Sequence, residues 1–259
     1  MTMLKDKIIF ITGASSGIGT ACANHFAKAG AKLLLCARRI DDLNKLAGQL
    51  QSEYGVEVFA FKLDVREQAE VNKILNTLPD KWQKIDVLVN NAGLAAGLDT
   101  VQEGNVKDWD DMIDTNVKGL LYVTREVLPQ MVEKNSGHII NIGSIAGHEV
   151  YPKGAVYCAT KYAVNALSNG LRLDLSGTKV RVSTVDPGAV ETNFSAVRFK
   201  GDIKRAAAIY EGMDALTPND VADAVLYCAT RPPHVNISEI IIMPTDQAST
   251  TLVSRTLKK

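Results

Sequence analysis

Residues 7–19 read KIIFITGASSGIG. The run 7–12 is short, apolar and rich in β-branched residues, and it stops at a glycine, which suits a strand buried on both faces of a parallel sheet. Gly13, Gly17 and Gly19 follow at GxxxGxG spacing, with Ser15, Ser16 and Ile18 between them. Such glycines let a chain turn tightly from a strand into a helix and approach a pyrophosphate, where free N–H groups and the helix dipole favour an anion. A glycine-rich turn alone is weak evidence. Here it follows the first strand and opens a helical stretch, 18–29, that Gly30 closes.

Outward from this turn, β-rich runs alternate with helical periods. Strands are expected at 32–37, 57–63, 86–89, 137–142, 179–185 and 238–243, and helices at 41–53, 67–78, 106–133, 155–175 and 217–229. The 106–133 stretch reads as two helices in succession with Asn116 near the junction, and Pro129 as a kink in the second. Repeated strand–helix–strand units imply an α/β fold, a Rossmann-type doubly wound parallel seven-stranded sheet with helices on both faces. No linker or low-complexity tract divides the chain, so residues 1–259 are expected to form one domain. Residues 188–216 lack a clear element, and a segment that long inside a compact domain reads as a substrate lid. Residues 244–259 form a C-terminal tail.

Composition narrows the function. The 259 residues are 46% hydrophobic and 22% charged, ordinary for a globular chain. Lys plus Arg equals Asp plus Glu at 29 each, which argues against a nucleic-acid partner, since phosphate neutralisation needs a basic excess. Cys22, Cys36, Cys158 and Cys228 show no CxxC pairing and the histidines no HExxH spacing, so no metal site is expected and the thiols read as buried apolar residues of a reducing compartment. No leader pattern or membrane-length apolar run is visible, which makes a cytoplasmic protein without a membrane partner the expectation.

The end of the second expected strand points to a cofactor. An NAD site usually carries an acidic residue there to hold the ribose hydroxyls. This chain has Ala37-Arg38-Arg39 instead. Without a carboxylate, a 2′-phosphate is not repelled, and a guanidinium grips it with paired hydrogen bonds. NADP is therefore expected.

Of seven tyrosines, Tyr157 alone has a lysine four residues later, Lys161. On a helix both side chains share one face. A nearby ammonium stabilises a phenolate and is expected to lower the Tyr157 pKa, making the phenol a proton donor and acceptor. Ser144 lies thirteen residues upstream, just past the fifth expected strand, at the ligand-facing carboxyl end.

With these motifs in order, the chain resembles the short-chain dehydrogenase/reductase family along its whole length. The residues that carry the likeness are Thr12 to Gly19, Asp64, Asn90-Asn91-Ala92-Gly93, Asn116, Ser144, Tyr157, Lys161 and Pro187-Gly188. The resemblance implies a general acid/base role for Tyr157, with Lys161 lowering its pKa and bonding the nicotinamide ribose. It implies that Ser144 holds the substrate oxygen and that Asn116 supports a water leading to Lys161. Asp64 and Val65 are expected near the adenine, Asn91 and Gly93 near the ribose, and Pro187 to Thr192, including Gly188 and Val190, over the nicotinamide. A homotetramer is also implied, with helices 120–132 and 155–175 packing across two-fold axes.

Asn141 to Ser144, Pro187 to Thr192, Phe194 to Asp202 and Met243 to Ser249 resemble one branch of that family. It comprises the NADP-dependent 3-hydroxy acid dehydrogenases, which act on serine and allo-threonine and reduce malonic semialdehyde. The lid carries Arg198, Lys200, Lys204 and Arg205 against Glu191, Asp202, Glu211 and Asp214. Arg198 is the candidate to hold a substrate carboxylate, because its guanidinium suits bidentate recognition; the bland alternative pairs it with Asp202 or Glu191. A broad carbonyl or 3-oxoacyl reductase is the neighbouring reading, and a non-catalytic cofactor-binding module the third.

Overall fold

The computed structural model describes residues 4–256. Among them, seven strands form one sheet in the order β3-β2-β1-β4-β5-β6-β7, every neighbouring pair parallel. They are β1 (Ile8–Thr12), β2 (Lys32–Ala37), β3 (Val58–Lys62), β4 (Val87–Asn90), β5 (Gly137–Ile142), β6 (Val180–Pro187) and β7 (Glu239–Ile242). The chain winds outward in one direction from β1 to β3 and in the other from β4 to β7, so the direction switches between β1 and β4. Ligand crevices of open α/β sheets form outside the carboxyl ends at such a switch.

The strands are apolar throughout because both faces are covered. Ile9, Ile11, Leu33 and Leu35 enter one core with α1 (Gly17–Lys28) and α2 (Ile40–Tyr54). Ile8, Phe10, Leu34 and Cys36 point to the other face and pack with α3 (Gln68–Asn76). A short α4 (Asp80–Gln83) follows Pro79 and buries Trp82. The single 67–78 helix of the sequence reading is thus shorter, and proline restarts the chain in a new direction. The four cysteines are buried and free.

The 106–133 stretch is one continuous helical run of three parts. α5 (Val106–Ile113) passes through a π-helical segment, Asp114–Gly119, into α6 (Leu120–Glu133), which contains Pro129. The expected junction at Asn116 is this π turn, a feature often found at functional sites. α7 (Ala155–Asp174) follows β5 and carries Tyr157 and Lys161 on its buried face. Residues 188–216 contain α8 (Phe194–Arg198) and α9 (Ile203–Ala208), both too short to show a helical period in sequence. α10 (Pro218–Ala229) opens with a capping box in which Asp220 accepts from the Thr217 backbone at 2.7 Å. Of the 244–259 tail, residues 257–259 lie outside the described residues.

A buried polar chain ties the carboxyl ends of β4 and β5 to their covering helices. Asn90 Nδ2 donates to Thr124 Oγ1 and to Asn141 Oδ1, each at 2.9 Å, and Asn141 Nδ2 donates to Ser168 Oγ at 2.8 Å. Asn141→Ala leaves both neighbours without that partner, so it is expected to cost about 1–3 kcal/mol per orphaned group. Chemical denaturation measures this; a loss within about 0.5 kcal/mol, the range of an ordinary surface substitution, contradicts it.

Candidate active site

A cleft of about 520 Å³ opens at the carboxyl edge of the sheet. It brings together Gly13, Ser15, Ser16, Gly17, Ile18, Arg38, Arg39, Asp64, Val65, Asn91, Gly93, Ser144, Tyr157, Lys161, Pro187, Gly188, Val190, Thr192 and Arg198. Two expected site residues, Gly19 and Asn116, stand behind its wall instead. A Cβ on Gly19 would meet Asn91 Nδ2 and Gly13 O at 2.5 Å, so this glycine serves close packing. Asn116 spends its amide on Leu94, whose N–H it accepts at 2.9 Å and whose carbonyl it reaches at 2.8 Å, and on Thr160 Oγ1 at 3.0 Å.

At the glycine-rich end, Gly13 has φ +65° and a Cβ there would lie 2.9 Å from Ala92 Cα. Asn91 locks this turn by donating to the Thr12 and Gly13 carbonyls at 2.9 and 3.1 Å. Ser16 precedes α1 in extended conformation, makes no side-chain cap, and the first turn holds no acid. The helix start is therefore left for an external anion. Arg39 reaches from Asp42 at 2.8 Å to Ser15 Oγ at 3.3 Å. Arg38 is exposed and makes no ion pair among the described residues. Asp64 lies on the same rim. Burial pushes its carboxyl up, but the hydrogen bonds from Arg66 outweigh this and hold it below the usual range. Its charge is thus already matched. Two guanidinia beside a serine and an open helix start fit a dinucleotide with an extra phosphate.

At the other end, Ser144 follows β5, and its Oγ accepts the Ala146 N–H at 3.1 Å. Tyr157 is only 8% exposed and Lys161 7%. Lys161 Nζ donates to Ile142 O at 2.9 Å and lies 5.9 Å from the Tyr157 ring centre. A Cβ on Gly93 would lie 3.3 Å from Asn116 Oδ1 and 3.8 Å from Lys161 Nζ, so glycine lets this loop pass close to both.

The expected lowering of the Tyr157 pKa is not met. Burial pushes the phenol up, with Tyr151 adding to this, and the Ser144 hydroxyl and Arg198 oppose it without overcoming it. Lys161 is turned toward Ile142, and burial lowers its own pKa to about 8 against a partial correction from Asp186.

Arg198 lies over the same tyrosine. Its guanidinium carbon is 5.3 Å from the Tyr157 ring centre and 5.4 Å from that of Tyr151. It donates to the Tyr151 hydroxyl and, through Nε, to Gly97 O at 3.3 Å. The alternative pairing with Asp202 or Glu191 is absent among the described residues. Asp202 instead accepts the Arg205 N–H at 3.0 Å.

Comparison with known proteins joins this geometry to a family. The family model described as short chain dehydrogenase matches residues 7–202. The chain belongs to the short-chain dehydrogenases. An NADP-dependent 3-hydroxy acid dehydrogenase of Salmonella typhi is 49% identical over 242 residues, covering 93% of this chain and 96% of that protein. One of the same description from Schizosaccharomyces pombe is 44% identical over 256 residues, covering 98% and 99%. A closed form of serine dehydrogenase complexed with NADP+ superposes with a TM-score of 0.90 at 46% identity, covering 97% of this chain and 100% of the other.

Several residues of this short-chain dehydrogenase site carry no sequence signal. Tyr151 and Phe194 meet Tyr157 only through folding; the Phe194 ring stands edge-on to it at 5.7 Å. The tail contributes Gln247, whose Oε1 accepts the Ala189 N–H at 2.7 Å. His148, Asp186 and Glu239, remote in sequence, bring ligand atoms within 4.8 Å of one another.

A buried ammonium has a stability cost that can be measured. With its folded pKa near 8, Lys161 penalises the folded state fully below pH 8, and the penalty fades as pH rises toward the ordinary lysine value of about 10.4. Lys161→Met is therefore expected to raise stability at pH 7 by on the order of 1–2 kcal/mol, net of the lost bond to Ile142. The gain should shrink toward pH 10.5. Denaturation at the two pH values measures it, and a pH-independent difference contradicts it.

Proposed function

We propose that this short-chain dehydrogenase is an NADP-dependent oxidoreductase for small 3-hydroxy acids of the serine, allo-threonine and 3-hydroxypropionate class. The relatives' descriptions support the NADP dependence and the hydroxy acid class. One observation carries the substrate class: Arg198 sets a guanidinium 5.3 Å from the Tyr157 ring centre, where a carboxylate attached to the reacting carbon chain would lie. An uncharged or long acyl substrate has no use for that charge.

The cofactor, when bound, supplies the acceptor or donor of a hydride. In the oxidative direction Tyr157 has first to lose its proton, which burial of the phenol opposes and a positive charge beside it would offset; the phenolate then takes the hydroxyl proton while the hydride leaves the carbon that bears that hydroxyl. In reduction its O–H returns that proton to the carbonyl oxygen. Ser144 donates to the substrate oxygen and orients it. Lys161 bonds the ribose and holds positive charge beside the phenolate as it forms, a stabilisation worth more in a dry site than in water. Both amide donors of Asn116 are spent on Leu94 O and Thr160 Oγ1, which leaves none for a water leading to Lys161. Arg38 and Arg39 would hold the 2′-phosphate, Pro187 to Thr192 would lie over the nicotinamide, and residues 188–216 act as the substrate lid.

Residues 1–259 act in this reading as one catalytic domain. No described helix is long and apolar enough to cross a membrane; a cytoplasmic site of action is the reading that the four free, buried cysteines support. In this reading the protein assembles as a homotetramer, which the apolar side chains that α6 and α7 leave exposed support, among them Leu121, Val132, Tyr162 and Leu173.

Two substitutions test the assignment. Tyr157→Phe is expected to lower kcat at least about 10²-fold while NADP binding survives, since only the proton donor is lost; steady-state kinetics near wild type would overturn the mechanism. Arg198→Ala is expected to raise KM for serine or 3-hydroxypropionate about 10- to 100-fold, the worth of a charge-assisted hydrogen bond. An uncharged ketone should be nearly unaffected. Parallel losses for both substrates would place the carboxylate elsewhere.

A further inference from the structure

Asp186 is the last residue but one of β6, just before Pro187, and its side chain is fully buried. The reaction described above makes no use of it. A buried carboxylate is costly unless it is hydrogen-bonded and matched by charge, so its surroundings have to compensate.

Oδ1 of Asp186 accepts the backbone N–H of Ser144 at 3.1 Å. The approach is so close that a Cβ on residue 143 would fall 1.6 Å from the same oxygen, which glycine at that position avoids. Oδ2 lies 3.2 Å from His148 Nε2, and that nitrogen lies 3.1 Å from Asn165 Nδ2 and 3.7 Å from Glu239 Oε1. Lys161 meanwhile binds the Ile142 carbonyl at 2.9 Å. A buried carboxylate and a buried ammonium therefore grip the same three residues, Ile142 to Ser144. The charged groups around Asp186 are His148, Glu239, Lys161 and, further along α7, Arg172.

We propose that Asp186 is a positioning residue of the active site: its carboxylate fixes the Ser144 turn through the backbone amide and sets a negative charge on the same Ile142–Ser144 stretch that Lys161 holds. The proposal rests on the roles given to Ser144 and Lys161 above. Two directions of titration agree with it. Burial pushes the Asp186 carboxyl up to about 6, with His148 and Lys161 pulling against it. Asp186 is also the charge that counters the effect of burial on Lys161. Above pH 6 the carboxylate is charged and supports the ammonium.

Asp186→Asn separates charge from shape. The amide oxygen still accepts from Ser144, while the amide nitrogen donates toward His148 where the carboxylate oxygen accepted; shape is kept, the charge is lost and that one contact changes sense. In the full-length wild-type protein with 15N-labelled serine, the Ser144 amide resonance is expected to titrate with a midpoint near pH 6 and to be flat in Asp186→Asn. In the same variant, the loss of carbonyl-reduction activity at high pH should move about one pH unit lower, because Lys161 loses the opposite charge beside it. Asp186→Ala, which also removes the acceptor, should lower kcat about 10- to 100-fold; Asp186→Asn keeps the test intact if the alanine variant does not fold. A purely structural role would change the melting temperature and leave the alkaline limb in place. A wild-type Ser144 amide that is flat from pH 5 to 8, or an Asp186→Asn alkaline limb at its wild-type position, overturns the proposal. The amide titration needs no turnover, so a wrong substrate assignment leaves that result intact.

Discussion

The parallel register of β1, β4, β5 and β6 sets Ile11 beside Val89, Asn90 beside Asn141, and Ile142 beside Val185. Strands that run one way and lie in step end together. The loops that begin at Gly13, Asn91, Gly143 and Gly188 therefore start side by side along one edge. Because both faces of the sheet are covered by helices, polar chemistry has no other exit from the core. The Asn90–Asn141 hydrogen bonds hold two of these ends in place from inside the sheet. The glycine turn, the asparagine loop, the serine turn and the lid all depend on this shared edge.

Burial at that edge sets the electrostatics of the site. Tyr157, Lys161 and Asp186 are each taken out of water, and each is pushed toward its neutral form, the phenol and carboxyl upward and the ammonium downward. A low-dielectric setting weakens each charge alone and strengthens every interaction between charges. Lys161 answers to Asp186, and both groups hold the Ile142–Ser144 backbone, the ammonium at the Ile142 carbonyl and the carboxylate at the Ser144 amide. Backbone amides and carbonyls, which cannot titrate, carry the fixed part of this arrangement.

Residues 188–216 are built differently from the sheet. They have two short helices with exposed apolar residues such as Val197 and Ile203, and their attachments are few and specific. Gly97 N–H donates to the Arg198 carbonyl at 3.0 Å, Lys200 pairs with Asp108 at 2.9 Å, and Arg255 of the tail reaches the Ile209 carbonyl at 3.1 Å.

The strand–helix alternation, the glycine turn at 13–19, the arginine pair at 38–39 and the Ser144–Tyr157–Lys161 spacing were legible in sequence, because each is local or set by a period of two or 3.6 residues. Even the oddity at Asn116 left a trace, as the point where one helical period gave way to another. Folding decided what no spacing encodes. It placed Gly19 and Asn116 behind the cleft wall rather than in it, turned Lys161 toward a carbonyl, and reversed the expected direction of the Tyr157 shift by excluding water. It brought Tyr151 under Arg198 and Asp186 against Ser144, 42 residues away in the chain. Local sequence fixes which groups are available and the turn each sits on; desolvation and pairing between distant segments fix their charge, and these exist only once the sheet has closed.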